Sequence, residues 1–292
     1  MLHRATTVLL VAILAAALWG FWLEPSSLTV REVDLPLAWP RAQPLRVAVL
    51  SDLHVGSPYY GISRLPEVVE RTNATHPDLI CILGDVLTLG VIGGHYVPPA
   101  PIASQLRHLR ARYGVYAVLG NHDRLADGLG LEGALEGAGI RVLEDTAVLV
   151  RTADGPLWLA GVSDLWTGPH DVARALEPVQ DSTTPLIVMT HNPDLFPELP
   201  PRVLLTLAGH THGGQVRLPL IGALIVPSRY GQRYVAGHVI ERGHDLFVTT
   251  GLGTSDLPVR FGVPPRIEVI TVRQAGARAR AGRPPRRQPA PE

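Results

Sequence analysis

Residues 46–54, Arg-Val-Ala-Val-Leu-Ser-Asp-Leu-His, join a short apolar run to two polar side chains. The run of residues 46–50 is typical of a buried strand that ends at Ser51. Asp52 and His54, which follow it directly, are residue types that bind metal ions. In α/β folds, ligand sites form at the carboxyl ends of strands. This stretch therefore predicts a buried strand with a site at its end.

The same pattern recurs four more times along the chain. Apolar runs at residues 79–83, 115–119, 186–189 and 203–207 each end in Asp, Asn or His. The polar residues that follow the five runs are Asp52 and His54, Asp85, Asn121 with His122 and Asp123, His191, and His210 with His212. If the strands share one rim, these residues converge on an oxygen and nitrogen ligand set that suits two divalent ions and is too large for one tetrahedral zinc.

Helical patterns separate several of these strands. They cover residues 64–74, the apolar positions Ile102, Leu106 and Leu109, and residues 131–138. Residues 147–151 and 157–160 flank an Ala-Asp-Gly turn, which predicts a hairpin. Short apolar strands that alternate with helices indicate an α/β fold with buried sheets and helices outside, and the later hairpins indicate a mixed sheet.

Composition narrows the chemistry of the site. All 26 cations are arginine, because the sequence has no lysine, and 26 acidic residues balance them. This excludes a Schiff-base or P-loop lysine, and it argues against a nucleic-acid binder, which usually has a basic excess. Twelve histidines against the single Cys81 mean that any bound metal is held by nitrogen and oxygen ligands.

The two ends of the chain differ from its middle. Residues 5–23 are uncharged, and as a helix they would span roughly 28 Å, close to the ~30 Å hydrocarbon core of a bilayer. We interpret residues 1–24 as a single transmembrane anchor or, alternatively, as a signal segment cleaved near Ala15-Ala16-Ala17. Residues 45–273 form one predicted domain, and residues 274–292 read as a disordered tail rich in arginine and proline.

The five polar blocks together resemble the calcineurin-like metallophosphoesterase superfamily. They are Ser51-Asp52-Leu53-His54, Gly84-Asp85, Gly120-Asn121-His122-Asp123, Thr190-His191 and Gly209-His210-Thr211-His212. With the N-terminal apolar segment, the block from Gly209 to Gln215 is most similar to the bacterial branch of the YkuE and YaeI phosphodiesterases. It is also similar to the UDP-2,3-diacylglucosamine pyrophosphohydrolase of chlamydiae. The resemblance implies a four-layer α/β/β/α sandwich, here with an N-terminal transmembrane helix.

The resemblance also implies a role for each block. Asp52, His54 and His212 would bind one metal ion, and Asn121, His191 and His210 a second. Asp85 would bridge the two ions. His122 would face the scissile phosphate, with Asp123 orienting it. The implied activity is hydrolysis of a phosphodiester or pyrophosphate bond by a metal-bridging hydroxide, with Mn, Fe, Zn or Co as the ions.

Several alternatives stay open at this point. The substrate, a phosphate ester, can be lipid-linked or membrane-associated, or instead a phosphoprotein or a small phosphomonoester. A different class of function is an inactive binding scaffold with the same fold. Arg4 before the apolar segment predicts a single-pass membrane protein with an extracytoplasmic catalytic domain, whereas a UDP-linked substrate would require a cytoplasmic one. Four further residues near the motifs have no assigned role: Arg124, Asp164, Gln215 and Arg217.

Overall fold

The alternating strands and helices build two six-stranded sheets in the computed structural model, which describes residues 2–276. The strands are β1 (Thr29–Leu37), β2 (Leu45–Leu50), β3 (Leu79–Leu83), β4 (Val115–Val118), β5 (Arg141–Val142), β6 (Thr146–Thr152), β7 (Gly155–Val162), β8 (Leu186–Thr190), β9 (Leu205–Ala208), β10 (Arg217–Leu218), β11 (Gly222–Ala223), β12 (Gly237–Glu241), β13 (His244–Val248) and β14 (Arg266–Gln274). The prediction of an α/β fold with mixed sheets is confirmed.

Both sheets are mixed, with a parallel centre. The first has the order β1-β14-β2-β3-β4-β5, in which β2 to β5 are parallel and β14 is antiparallel to β2. The second has the order β12-β13-β9-β8-β7-β6, with β7, β8, β9 and β13 parallel and both edge strands antiparallel. The carboxyl ends of the parallel strands carry the predicted site residues, so the topology brings the five blocks to one rim.

Three apolar layers separate four layers of structure. The helices are α1 (Leu2–Leu18), α2 (Leu65–Asn73), α3 (Pro99–Leu106), α4 (Asn121–Gly137) and α5 (Val172–Leu176). Helices α2, α3 and α4 cover the outer face of the first sheet, and the two sheets bury a second cluster between them. Helix α5 and the 3-10 helix Pro193–Glu198 cover the outer face of the second sheet. The predicted four-layer sandwich is confirmed.

Strand β1 lies before the predicted domain start at residue 45 and belongs to the first sheet. It pairs in parallel with β14, from Thr29 opposite Arg266 to Leu37 opposite Gln274. This pairing joins the two ends of the domain, a long-range contact that local sequence patterns do not encode. The predicted tail, residues 274–292, lies outside the described residues from position 277 onward.

The N-terminal apolar segment forms one continuous helix. Helix α1 runs into the π-helix Trp19–Leu23, and together they include the one segment of the described residues, His3–Leu23, that is long and apolar enough to span a membrane. Most side chains along it are exposed, whereas Gly20 is buried against the rest of the protein. Only the carboxyl end of this helix therefore packs on the sandwich.

Helix α4 begins earlier than the sequence pattern predicts. It starts at Asn121, inside a predicted site block, rather than near Leu131. Gly120 is extended at the N-cap, and the carboxylate of Asp123 accepts a hydrogen bond from the Gly120 amide at 3.0 Å. This N-terminal cap allows the first helical turn to form directly after β4.

Candidate metal centre

The carboxyl ends of the parallel strands bring all seven predicted ligands together. Each is at least nine-tenths buried, and the set is Asp52, His54, Asp85, Asn121, His191, His210 and His212. Buried polar side chains require partners, either one another or a bound group. Their side-chain atoms form two groups of the kind that can hold a metal ion.

The first group contains Asp52, His54 and His212. The Nε2 atoms of His54 and His212 lie 3.1 Å apart, with the rings stacked at a centroid distance of 5.0 Å. His212 Nε2 lies 3.4 Å from Asp52 Oδ1. Three potential ligand atoms, from the loop after β2 and the loop after β9, therefore face one point.

The second group contains Asp85, His191 and His210, and Asn121 adjoins it. His191 Nε2 lies 3.1 Å from Asn121 Oδ1 and 3.1 Å from His210 Nδ1. The other ring nitrogen of His191, Nδ1, lies 2.7 Å from the Leu83 carbonyl, which orients the ring. Such a contact on the outer nitrogen is common for histidines that bind metals.

Asp85 belongs to the second group and also faces the first. Its Oδ2 is 3.6 Å from His54 Nε2 and 3.2 Å from His191 Nε2. Its Oδ1 accepts a hydrogen bond from the backbone amide of His122 at 2.9 Å. One carboxylate oxygen thus faces both groups, which is the position a bridging ligand needs.

The spacing of these atoms fits metal ions. Metal–ligand bonds of about 2.1 Å at tetrahedral or octahedral angles place neighbouring ligand atoms ~3.0–3.4 Å apart. The separations between the candidate ligand atoms, 3.1 to 3.6 Å, fall close to this range. His54 Nδ1 and His191 Nδ1 each face a backbone carbonyl, so in the neutral rings the Nε2 atoms that face the centre are acceptors. A shared cation then accounts for the short distance from His191 Nε2 to the Asn121 Oδ1 atom, which is also an acceptor.

Backbone strain is concentrated at the same residues. Asp52, His54, Asp85, His210 and His212 all have φ between 41° and 69°, the left-handed region. Only a few per cent of non-glycine residues adopt it, with Asn, Asp and His enriched. Such residues cluster at functional sites, where the surrounding structure holds them in place.

Two motif glycines are required by close packing. Gly84 has φ of +86°, and a Cβ there would lie 2.5 Å from the Gly120 amide nitrogen and 2.9 Å from His191 Nδ1. A Cβ on Gly209 would lie 2.0 Å from Ser51 Oγ and 2.8 Å from Asp52 Oδ2. A larger residue at either position would push the ligand loops apart, which explains the glycine before Asp85 and before His210.

Burial and neighbouring charges shift the pKa values of several candidate ligands. Burial lowers the pKa of both His54 and His210 to about 3, so these imidazoles are neutral. Burial also raises the pKa of Asp52 to about 6. For Asp85, burial acts in the same upward direction, but the charge of His191 outweighs it and holds the pKa of Asp85 well below its usual range. Neutral His54 and His210 beside an ionised Asp85 have the protonation states that metal binding requires. His191 differs: burial lowers its pKa, but the charge of Asp85 outweighs burial and holds that pKa well above its usual range, so metal binding would displace a proton from His191.

His122 lies at the edge of the two groups, and it is less buried than the candidate ligands. Its ring meets that of His54 edge-on at a centroid distance of 4.7 Å. It can also form a ligand group with His54 and Asp85. The structure thus places His122 beside the metal centre, within reach of a group bound there.

Asp123 contacts the backbone rather than the imidazole of His122. Its Oδ1 accepts from the Leu87 amide at 2.7 Å and its Oδ2 from the Gly120 amide at 3.0 Å. The helix turn directs the carboxylate inward to these two amides, and His122 Nδ1 has no hydrogen-bond partner within the described residues. Asp123 joins the loop after Asp85 to the first turn of α4, on which His122 lies.

The candidate ligands form the floor of a cleft with a volume of about 460 Å³. One wall is apolar and includes Val216, Leu224, Ile225, Leu257 and Val259. The amide group of Gln215 fixes this wall: its Oε1 accepts from the Ser255 amide at 2.7 Å, and its Nε2 donates to the Ser255 carbonyl at 3.0 Å. Gln215, whose role the sequence left open, therefore positions the wall.

Trp166 is a site residue that the sequence reasoning did not select. It lines the cleft, and its ring meets His210 edge-on at 4.3 Å. Asp164 Oδ2 holds this turn by accepting from the backbone amides of Trp166 and Thr167, each at 2.9 Å. In the sequence, Asp164 follows an apolar strand, and this pattern could have indicated that the turn belongs to the site. In the structure, Asp164 positions Trp166.

Arg260 is a second residue that the sequence did not reveal. It is fully buried, and burial lowers the pKa of its guanidinium to about 10. It donates to the carbonyls of Thr250, Gly253 and Val263, which organises the segment that carries the apolar wall. Of the two arginines left unassigned, Arg124 pairs with Glu144, and Arg217 lies at the base of the β10–β11 hairpin.

Comparison with known proteins agrees with the motifs. A profile of the family described as calcineurin-like phosphoesterase matches residues 45–214. The metallophosphoesterase YkuE of Bacillus subtilis (strain 168), described as uncharacterized, is 33% identical over 78% of this chain and 79% of its own. Phosphodiesterase YaeI of Escherichia coli (strain K12) is 30% identical over 73% of this chain and 77% of its own.

A longer relative is found in a vertebrate. The transmembrane protein with metallophosphoesterase domain of Danio rerio is 30% identical over 93% of this chain. The alignment covers 63% of that relative, so this chain spans less than two thirds of its length. The match includes most of the described fold.

Proposed function

We propose that this member of the calcineurin-like phosphoesterase family, a metal-dependent hydrolase of phosphoric esters, uses two divalent ions in its reaction. The bond that it cleaves is a phosphodiester or pyrophosphate bond, and the substrate is membrane-associated or lipid-linked. The relative YaeI is described as a phosphodiesterase, which supports the diester class. The candidate ions are Mn, Fe, Zn or Co, since histidine, aspartate and asparagine ligands suit all four.

The observation that carries the proposal is the shared position of Asp85. Its Oδ2 faces His54 at 3.6 Å and His191 at 3.2 Å, at the junction of two buried ligand groups. We assign Asp52, His54 and His212 to one ion and Asn121, His191 and His210 to the other. An anionic carboxylate is the ligand best suited to sit between two cations.

Each side chain around the centre has a distinct part in the reaction. The seven candidate ligands would hold two divalent ions, which when bound would supply polarisation of the phosphoryl oxygens and a lowered pKa of a water molecule. The water oxygen forms the new bond to phosphorus while the bond from phosphorus to the leaving oxygen breaks. An imidazole nitrogen of His122 donates the proton that the leaving oxygen requires. Asp123 is a positioning residue, because it ties the first turn of α4 to the loop that carries Asp85.

A membrane location follows from the N-terminal segment in this proposal. The helix of residues 3–23 has the length and composition of a membrane span, and the relative from Danio rerio is described as a transmembrane protein. The aromatic residues Trp19, Phe21 and Trp22 are exposed near its end, where an interfacial belt would lie. N-terminal sequencing of the membrane-bound protein would show whether the segment is retained or cleaved near Ala15-Ala16-Ala17.

The side of the membrane is a separate part of the proposal. Arg4 precedes the apolar segment, and the next cation after it is Arg31, beyond Glu24. The positive-inside rule then places the catalytic domain outside the cytoplasm. Alkaline phosphatase fused after Glu292 is expected to be active. Bright fluorescence of a cytoplasm-only reporter at the same position would reverse the assignment.

The proposed function is tested with the purified full-length protein. Metal analysis should find about two ions per chain, and turnover should depend on them. A hydrolysis screen with Mn²⁺ should compare bis-p-nitrophenyl phosphate, UDP-diacylglucosamine and phosphopeptides. We expect the diester to be preferred over the phosphopeptides, whereas preference for UDP-diacylglucosamine would argue for a cytoplasmic catalytic domain. Turnover of phosphopeptides alone would contradict the diester and pyrophosphate assignment, and a protein without metal or turnover would behave as a binding scaffold.

A further inference from the structure

The β10–β11 hairpin exposes an unusual set of apolar side chains. Leu220 and Ile221 form its tip, and Leu220 is fully exposed, at 108% of its reference area. Leu224 and Ile225 come directly after the outgoing strand, and Ile225 is 79% exposed. Leu220 also has φ of 68°, a left-handed position where glycine or asparagine is usual. A strained, fully exposed leucine is unfavourable in water and points to an apolar environment.

This hairpin lies next to the end of the N-terminal helix. The Arg260 amide donates to the Gly20 carbonyl at 2.9 Å, so residues 259–263 pack on the helix end. The same segment pairs with the hairpin on its other side, where the Arg217 amide donates to the Phe261 carbonyl at 2.8 Å. Only one extended segment therefore separates the helix from the hairpin, a distance of about two strand spacings, or ~10 Å.

Several hydrogen bonds and a ring contact hold the end of the N-terminal helix on the sandwich. Glu24 is buried and accepts hydrogen bonds from the backbone amides of Gly262 and Val263. Tyr59 donates to the Phe21 carbonyl and meets the Trp22 ring edge-on at 6.1 Å. The helix end is thus fixed to the sandwich from two sides, so the hairpin has a set position relative to any bilayer that the helix enters.

A basic pocket adjoins the base of the hairpin and the end of the segment of residues 259–263. Arg31, Arg217 and Arg266 line it, together with Gly262 and Val263, and its volume is about 390 Å³. Arg217 belongs both to this pocket and to the base of the hairpin. Arginines beside an apolar tip match the chemistry of a bilayer surface, where anionic headgroups lie above acyl chains.

We propose that the β10–β11 hairpin is a membrane-docking surface: Leu220 and Ile221 insert into the leaflet that the helix end adjoins, and the basic pocket binds anionic headgroups there. Leu224 and Ile225 line the catalytic cleft as well as the hairpin. Docking therefore opens the apolar wall of the cleft to the leaflet, so that a lipid-linked phosphate ester reaches the metal centre with its chains still in the bilayer. The docking rests on the proposed membrane location, and this consequence rests in addition on the proposed activity.

The docking is tested with a fluorescent label on the full-length protein in vesicles of phosphatidylcholine and phosphatidylglycerol. An environment-sensitive fluorophore is attached to Ile221→Cys, and Leu149→Cys on β6 is the matched control, because Leu149 is an exposed leucine far along the second sheet. Cys81 is buried and stays unlabelled. We expect a blue shift and quenching by nitroxide-labelled lipid at position 221 and neither at position 149.

Two results would overturn the docking. Emission at position 221 that matches that at position 149 would mean that water covers the hairpin. A blue shift without quenching by nitroxide lipid would mean that protein covers it, either a second copy of the chain or another partner. In vesicles of phosphatidylcholine alone we expect weaker quenching, and unchanged quenching would remove the basic pocket from the proposal.

A second measurement addresses the substrate and is independent of the first. In the double variant Leu220→Asp/Ile221→Asp, turnover of soluble bis-p-nitrophenyl phosphate should be unchanged, because neither residue lines the cleft. Turnover of hexadecyl p-nitrophenyl phosphate in vesicles should fall by at least about tenfold, since two apolar side chains no longer enter the leaflet. Equal loss on both substrates, or on neither, would contradict delivery from the leaflet. If the wild type cleaves neither substrate, the proposed function fails while the label still decides the docking.

Discussion

Trp166 stands edge-on against His210, with ring centroids 4.3 Å apart and ring planes at 90°. Asp164 fixes the turn that presents Trp166, and His210 is a proposed ligand of the second ion. An edge-to-face pair of this kind contributes about 0.5–1.5 kcal/mol beyond its buried area. Trp166 therefore restricts the ring of this proposed ligand.

We expect Trp166→Ala to weaken metal binding at the His191 and His210 group about twofold to tenfold, because the edge contact that restrains His210 is lost. Trp166→Phe keeps an aromatic ring and is expected to retain most of the affinity. A metal titration followed by calorimetry would measure both variants. Equal affinities in wild type and Trp166→Ala would show that His210 needs no such restraint.

The second prediction concerns the bridge. Asp85→Asn keeps an oxygen that can accept from the His122 amide but removes the negative charge shared by the two ligand groups. We expect bound metal to fall from about two ions toward one, and turnover to fall by about 10²–10³-fold or more. Metal analysis and kinetics on the same preparation would check this.

The matched control for the bridge is Asp34→Asn. Asp34 lies on β1, is exposed, and pairs with Arg273 at the protein surface. This change should leave metal content and turnover near the wild-type values. Two tightly bound ions and a normal rate in Asp85→Asn would refute the bridging role.

The third prediction separates a proton donor from a metal ligand. His122 lies beside His54, and the structure places it close enough to belong to either class. As a proton donor, His122→Ala should retain both ions and lose about 10²–10⁴-fold in rate. The loss should be smaller for p-nitrophenyl esters, because a good leaving group needs little proton donation. If metal content falls instead, His122 is a ligand.

The metal centre was the most predictable part of the molecule. Each block of candidate ligands follows its own apolar strand, as Asp85 follows β3 and His191 follows β8, so local patterns and parallel topology suffice to place the blocks together. The left-handed backbone of Asp52 and His54 was not predictable, because it depends on contacts with neighbouring loops.

The surroundings of the centre could not be read from the sequence for a physical reason. Arg260 is buried by segments from distant parts of the chain, and an arginine carries no local signal that it will be buried. The same holds for Gly20, whose carbonyl meets the Arg260 amide at the far end of the sequence. Even within a recognised motif, the contacts of a side chain cannot be predicted from the residue order. The helix turn determines that the Asp123 carboxylate accepts from two backbone amides.

The fourth prediction concerns stability and pH at Glu268 on β14. This side chain is 1% exposed, and within the described residues neither of its carboxylate oxygens has a hydrogen-bond partner. Burial raises the pKa of Glu268, while Arg31, 3.7 Å away, acts in the opposite direction. In the folded protein the carboxyl thus holds its proton to a higher pH than in the unfolded chain.

The direction in which stability changes with pH follows from proton linkage. Below the unfolded pKa of about 4.5, both states are protonated, and the contribution of Glu268 to stability is fully present. As the pH rises through the folded-state pKa, the buried group must ionise, and that contribution is lost.

The variant Glu268→Gln cannot ionise, so its melting temperature should exceed that of the wild type by an amount that grows with pH. The difference should reach a few degrees, since 1 kcal/mol corresponds to about 2–4 °C for a domain of this size. Thermal scans of the detergent-solubilised protein between about pH 4 and pH 8 would measure this, with Glu198→Gln at an exposed position as the control. A Glu268→Gln profile parallel to that of the wild type would show that Glu268 remains ionised in the folded protein, with Arg31 and Arg266 compensating its burial.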